Sequence, residues 1–251
     1  MKYLKKFNTE IEYTDFTESD KYVLPNVSWV VDGNNVLYNP AESGLVYNMV
    51  DLGLPSGLLW ADRNVGAASP EDAGLYFAWG ETKGYTLEQF LNGERVFNQE
   101  SYLDGNYSYE TSKYHGYDME DITLKPEDDA ATVHMGENWR MPSYNDIIEL
   151  FANTTQVFFD KNNNIVSDPC GDENAYVKFT GSNGNSIVFY YHTEELGDSI
   201  SNLYISPLIW LNHTGGLHGS ATNAECGSMH TGGSMCEPRH KGIQVRGVCN
   251  K

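Results

Sequence analysis

Short β-prone runs broken by tight-turn composition constrain this chain more than any other feature. Val157-Phe-Phe159, Tyr176-Val-Lys-Phe179 and Ile187-Val-Phe-Tyr-Tyr191 are joined by Asp160-Lys-Asn-Asn-Asn164 and Gly181-Ser-Asn-Gly-Asn185, and a last run is Ile243-Gln-Val-Arg-Gly-Val248. β-branched and aromatic residues suit a pleated, half-buried surface, while Asn, Asp and Gly clusters close turns. Helix signals are few. Ser143-Tyr-Asn-Asp146 opens the clearest one, with Ile147, Ile148, Leu150 and Phe151 as its expected buried face. Pro126-Glu-Asp-Asp-Ala-Ala-Thr132 predicts a short helix whose leading acids favour its dipole, and Ser69-Pro70-Glu71-Asp72 supplies an N-cap, a Pro at the first helical position and an acid at N3. Residues 84–125, rich in Tyr, Asn, Gly, Asp and Glu, predict a loop-dominated insertion. Strands do not alternate with helices, which excludes Rossmann and TIM-barrel sheets and leaves an α+β fold.

Composition bounds the rest. A chain of 251 residues suits one large domain, or an ordinary domain with an appendage. With 17 Tyr, 10 Phe and 5 Trp it can bury enough surface to offset chain entropy, which excludes disorder. No apolar run approaches the ~18 residues of a membrane span. A net charge of −19, spread along the chain, repels phosphate backbones and anionic lipid, so neither nucleic acid nor membrane is an expected partner. The basic start Met1-Lys-Tyr-Leu-Lys-Lys6 runs directly into Asn8-Thr-Glu10, with no apolar stretch or small-residue cleavage site, so no cleaved export signal is expected. Four cysteines, Cys170, Cys226, Cys236 and Cys249, are too few and too clustered for a disulfide scaffold, and folding in a reducing cytosol is expected.

Residues 1–45 read as a separate attachment or oligomerisation segment. Thr9-Glu-Ile-Glu12 matches a capping box and predicts a short helix carrying Tyr13 and Phe16. Asp32-Gly33 between Val27-Ser-Trp-Val-Val31 and Val36-Leu-Tyr38 predicts a hairpin. A lone helix and hairpin hide too little apolar surface to stand alone, so this segment must dock on the following domain, on a second copy or on a larger assembly.

From residue 46 to 251 the chain carries a set of long, ordered motifs. They are Val50-Asp-Leu-Gly-Leu-Pro-Ser-Gly-Leu-Leu-Trp60-Ala, Asn64-Val-Gly-Ala-Ala-Ser-Pro-Glu-Asp-Ala-Gly74, Tyr76-Phe-Ala-Trp-Gly-Glu81, Leu124-Lys-Pro-Glu-Asp-Asp-Ala-Ala-Thr132, Trp139-Arg-Met-Pro-Ser143 and Gly242-Ile-Gln-Val-Arg246. Together they resemble the Fibrobacter succinogenes major paralogous domain of gut Bacteroidales and their phages. That domain is similar to the C-type-lectin-like fold of the formylglycine-generating-enzyme branch. The resemblance implies an α+β domain whose termini pair and whose long loops crowd one end, with Trp60, Trp79 and Trp139 as core anchors and Arg140 as a structural ion-pair or stacking partner. The N-terminal segment resembles parts of virion proteins from crAss-like phages of Bacteroides. Where the family carries Trp-Ser-Ser, this chain has Trp210-Leu-Asn-His213. That departure falls on a loop-rich end, where binding surfaces are expected, and makes Trp210, Asn212, His213 and His218 the candidate ligand-binding residues.

One further arrangement carries chemistry. Cys226-Gly-Ser-Met-His230 and Cys236-Glu-Pro-Arg-His240 are two Cys-x3-His units whose soft sulfur and imidazole donors suit a structural zinc in a Gly-rich loop. The same cysteines, with Cys249, are open to disulfide pairing or to remaining free thiols. Asp160, Asn162 and Asn164 match the start of a calcium loop, but Ile165 and Gly171 stand where Gly and the bidentate Glu belong, and a hairpin turn explains them equally well. Gly-x-Ser-x-Gly, a phosphate-binding Gly loop and His-Glu-x-x-His are all missing, so a non-enzyme is expected.

The leading expectation is a phage virion structural protein, a head fibre or capsid decoration made in the bacterial cytoplasm and exposed on the virion surface. Residues 1–45 would join it to capsid or other virion proteins and to itself as a homotrimer, and residues 46–251 would adhere to a host-surface glycan or protein. The alternative is a non-enzymatic binding module of a gut Bacteroidales bacterium; a formylglycine-type oxidase relative is the third reading.

Overall fold

A computed structural model describes residues 2–7, 10–15, 30–32, 35–38, 46–105, 123–197, 200–203, 206–213 and 223–251, those before residue 46 by backbone alone. The fold is mixed and mostly β. Two strands open the chain, β1 (Lys2–Phe7) and β2 (Glu10–Asp15), paired antiparallel with Leu4 opposite Tyr13. The helix expected over residues 9–16 is therefore corrected where it is described: Glu10–Asp15 is a strand, because pairing along six residues of β1 offers more backbone bonds than one isolated helical turn. Thr9 and Phe16 lie outside the described residues. The expected hairpin is present, as β3 (Val30–Asp32) and β4 (Asn35–Tyr38), with Asp32 opposite Asn35.

The following strands are β5 (Tyr47–Asp51), β6 (Leu59–Asn64) and β7 (Tyr76–Phe77), then helix α1 (Leu87–Leu91). After a 3-10 turn at Pro126–Asp128 come α2 (Ala130–Met135), β8 (Trp139–Arg140) and α3 (Tyr144–Asn153). The strands β9 (Thr154–Phe159), β10 (Ile165–Val166), β11 (Tyr176–Gly181) and β12 (Ser186–Tyr190) precede a ribbon of β13 (Thr193–Leu196) and β14 (Ile200–Leu203). The chain closes with β15 (Leu208–Trp210), β16 (Asn223–Ser228), β17 (Ser234–Pro238), β18 (Ile243–Gln244) and β19 (Arg246–Cys249).

These strands make three larger sheets, ordered β3-β4-β5-β6-β19-β8, β17-β16-β15-β18-β7 and β10-β9-β11-β12. In the first, β5 and β6 from the start of the domain lie beside the C-terminal β19, and β4 continues the sheet through Leu37 opposite Asn48. Strand β15 divides two cores. Leu208 and Trp210 enter one, with Trp79, Trp139 and Tyr76, while Ile209 and Leu211 enter the other, with Trp60, Ile147 and Phe179. Trp60, Trp79 and Trp139 are all fully buried, as expected of anchors. Arg140 bonds Asp146 at 2.7 Å, the structural pairing expected of it.

Helix α3 forms where the sequence placed it. Ser143 accepts from the Asp146 N–H while Asp146 reaches back to the Ser143 N–H, a reciprocal cap. Ile147 and Leu150 are buried and Phe151 is half-buried, but Ile148 is 46% exposed because it lies about 100° round the axis from Ile147. The expected helix at residues 69–72 is a single turn. Asp72 accepts from the N–H groups of Ala68 and Ser69, and the left-handed φ of +75° at Gly74 then turns the chain toward β7.

Candidate functional site

The residues singled out for ligand binding separate on folding. Trp210 is a core residue, contrary to expectation: β15 lies between β16 and β18, its ring is fully buried, and its indole N–H donates to the Phe77 carbonyl at 2.7 Å. Asn212 is buried too, with its backbone bonded to Pro142 and Leu124. Its Oδ1 has no hydrogen-bond partner among the described residues. His213 is half-exposed, with Nδ1 3.3 Å from the buried Glu225 carboxylate. His218 lies outside the described residues.

The two Cys-x3-His units do not form one site. Residues 223–238 are an antiparallel hairpin, not the irregular loop expected from their glycines. Cys226 pairs with Met235 and Cys236 with Glu225. Paired residues share a face and neighbours alternate, so the two cysteines face opposite sides. His230 lies in the turn before β17 and His240 in the turn after it. The zinc set read from sequence is thus corrected: Cys226, His230, Cys236 and His240 do not converge. All four cysteines are free thiols. Burial pushes the Cys226 thiol well up, and raises the Cys249 thiol to about 12, which suits neither for thiolate chemistry. Asp160, the head of the calcium reading, is used up by its own turn, accepting from the Asn162 and Asn164 N–H groups at 2.8 Å each.

A different set of metal-ligating residues does come together. Donor atoms of Asp168, Cys170 and His230 all lie within 4.8 Å of one another. Two turns build the site. In the first, Cys170 N–H donates to Asp168 Oδ1 at 2.9 Å and Asp172 N–H to the Pro169 carbonyl, with Gly171 at φ +82°. In the second, the β16–β17 tip, Ser228 and Gly233 close the loop and Gly232 takes φ +71°, which carries His230 out toward β9 and β12. There His230 Nδ1 lies 2.5 Å from the hydroxyl of buried Tyr191, and its ring packs at 5.0 Å from that of Phe158. The Cys170 N–H, and then its thiol, hold the Asp168 carboxyl below the usual carboxylate range. Sequence reading missed Asp168 and Cys170 because their partner stands 60 residues away; the one local signal was two ligand-type residues at i, i+2 in an Asp-Pro-Cys-Gly turn.

No protein-family model, curated protein or solved structure matches the chain. The molecule is defined by its own geometry, as a mixed, mainly β protein in which Asp168, Cys170 and His230, three residues of metal-ligand type, come together.

Proposed function

We propose that this chain is a virion structural protein of a Bacteroides-infecting phage, a head fibre or capsid decoration exposed on the virion surface. Residues 46–251 act as a C-type-lectin-like adhesion domain for a host-surface glycan or protein. Residues 1–45 attach that domain to capsid proteins and to its own copies in a homotrimer. The observation carrying this reading is β4 paired to β5, with β3 outermost in the six-stranded sheet among the described strands. An outer strand can offer its edge to a partner chain, and β1 of the same segment lies close to β3. Strand β3 belongs to the segment that the sequence marks for attachment. Of the residues singled out for binding, His213, part-exposed next to residue 214 in the chain, supports adhesion. Within this reading zinc has a structural role and the domain has no catalytic one.

The test is peptide mass spectrometry of density-gradient-purified particles beside host-cell fractions. Peptides at stoichiometric level in the particle band are expected. Peptides confined to host fractions would replace this reading with that of a bacterial binding module.

A further inference from the structure

We propose that Asp168, Cys170 and His230 bind one divalent transition-metal ion, zinc by preference, and that the ion clamps the β10–β11 loop to the tip of the β16–β17 hairpin. The donor set selects the metal. One thiolate, one imidazole and one carboxylate suit a borderline-soft ion, whereas calcium and magnesium want oxygen alone. Tetrahedral zinc with bonds of roughly 2.0–2.3 Å places its ligands about 3.3–3.8 Å apart. The donors here lie within 4.8 Å of one another, so closure needs shifts of about an ångström. Asp168 and Cys170 are exposed, where such shifts are free of core strain.

The supports around the ligands are those a metal site needs. His230 turns Nδ1 to the Tyr191 hydroxyl and packs against Phe158, which leaves Nε2 for the ion and fixes the ring plane. Asp168 spends Oδ1 on the Cys170 N–H and keeps Oδ2 for coordination. The net charge of −19 raises the local concentration of cations. Three protein ligands leave a fourth position for water. The same residue types also serve cysteine nucleophiles, but there the imidazole stands between thiol and carboxylate. Here the carboxylate accepts from the Cys170 thiol directly, and the imidazole Nδ1 faces Tyr191.

Coordination replaces the Cys170 S–H proton by the metal, and that proton goes to solvent. The loop and hairpin tip then become one unit, a property independent of the virion reading. The experiment titrates the full-length, metal-stripped, reduced chain with zinc chloride by calorimetry and with cobalt(II) by absorbance. Expected are one zinc per chain, a rise in Tm, and a sulfur-to-cobalt charge-transfer band with tetrahedral ligand-field intensity. Cys170→Ser, at an exposed position, abolishes the band and weakens zinc at least tenfold; Tyr191→Phe weakens it by roughly ten- to a hundredfold; Cys236→Ser changes neither. A chain that takes up no stoichiometric zinc, or one whose zinc survives Cys170→Ser and is lost with Cys236→Ser, overturns the assignment.

Discussion

A Cβ added to Gly181 would sit 1.9 Å from the carbonyl oxygen of Leu52 and 2.6 Å from its carbonyl carbon. Those neighbours are backbone, so no rotamer change relieves the clash, and the end of β11 would have to part from the turn that follows β5. Gly184, three residues on, is the opposite case: its φ is +84° and nothing lies within 4 Å of an added Cβ. Gly181→Ala therefore costs at least about 3 kcal/mol through overpacking, and Gly184→Ala about 1–2 kcal/mol through left-handed strain. Urea unfolding of the two variants separates them, and equal losses would contradict the packing argument. In sequence both glycines read alike, as members of one turn. The difference lies in Leu52, which folding brings against Gly181 from far along the chain and does not bring against Gly184, and no local pattern encodes that. The same holds for His230, which sequence pairs with nearby Cys226 and folding pairs with Asp168 and Cys170.

Elements were legible where their determinants are local. Helix α3 carries its own cap and its own apolar face, and it formed as read apart from Ile148. α1 lay unread although Thr86 and Gln89 form a reciprocal cap, because Leu87–Leu91 is too short to show a period. Strands β15 and β16 are buried on both faces, so they show no alternation, and Gly227 in β16 fits because Ile147 and Leu211 crowd its position. The caps of α2 and α3 give an acid test. Burial works to raise Asp146, but the Arg140 guanidinium and the Ser143 N–H and hydroxyl outweigh it and hold the carboxyl below its usual range. A depressed folded pKa gives stability that is full above the unfolded value of about 4 and is lost as pH falls through the folded one. At Asp129, capping α2 through the Thr132 N–H, burial dominates and raises the carboxyl, so its contribution falls as pH rises past about 4. Asp146→Asn should cost about 1–2 kcal/mol at neutral pH and flatten the loss of stability below about pH 4, whereas Asp129→Asn should remove the fall in stability that sets in as pH rises past about 4. Chemical denaturation across pH 2.5–7 at constant ionic strength checks both; an acid limb unchanged by Asp146→Asn would remove Asp146 from the account.

At the scale of the whole molecule, attachment has to overcome charge. Each chain carries −19, so bringing three together raises their mutual repulsion, and only short-range backbone pairing or apolar contact offsets it. The register of the β3–β4 hairpin says where such pairing is available. Hydrogen-bonded and non-hydrogen-bonded pairs alternate along an antiparallel ladder, so with Asp32 and Asn35 as the hydrogen-bonded pair, Val31, opposite Val36, directs its N–H and C=O away from β4. Val31→Pro deletes that outward donor and leaves the β3–β4 ladder bonds in place. Salt separates repulsion from pairing, since the Debye length falls from about 30 Å at 0.01 M to about 8 Å at 0.15 M. Light scattering of the purified full chain should therefore show trimer at 0.15 M salt and partial dissociation at 0.01 M. The Val31→Pro chain should stay monomeric at both, with the thermal transition of residues 46–251 preserved. A wild-type chain that is monomeric at every salt concentration would remove self-association from the role of residues 1–45. A trimer untouched by Val31→Pro would move the interface away from the β3 edge to another face of the domain.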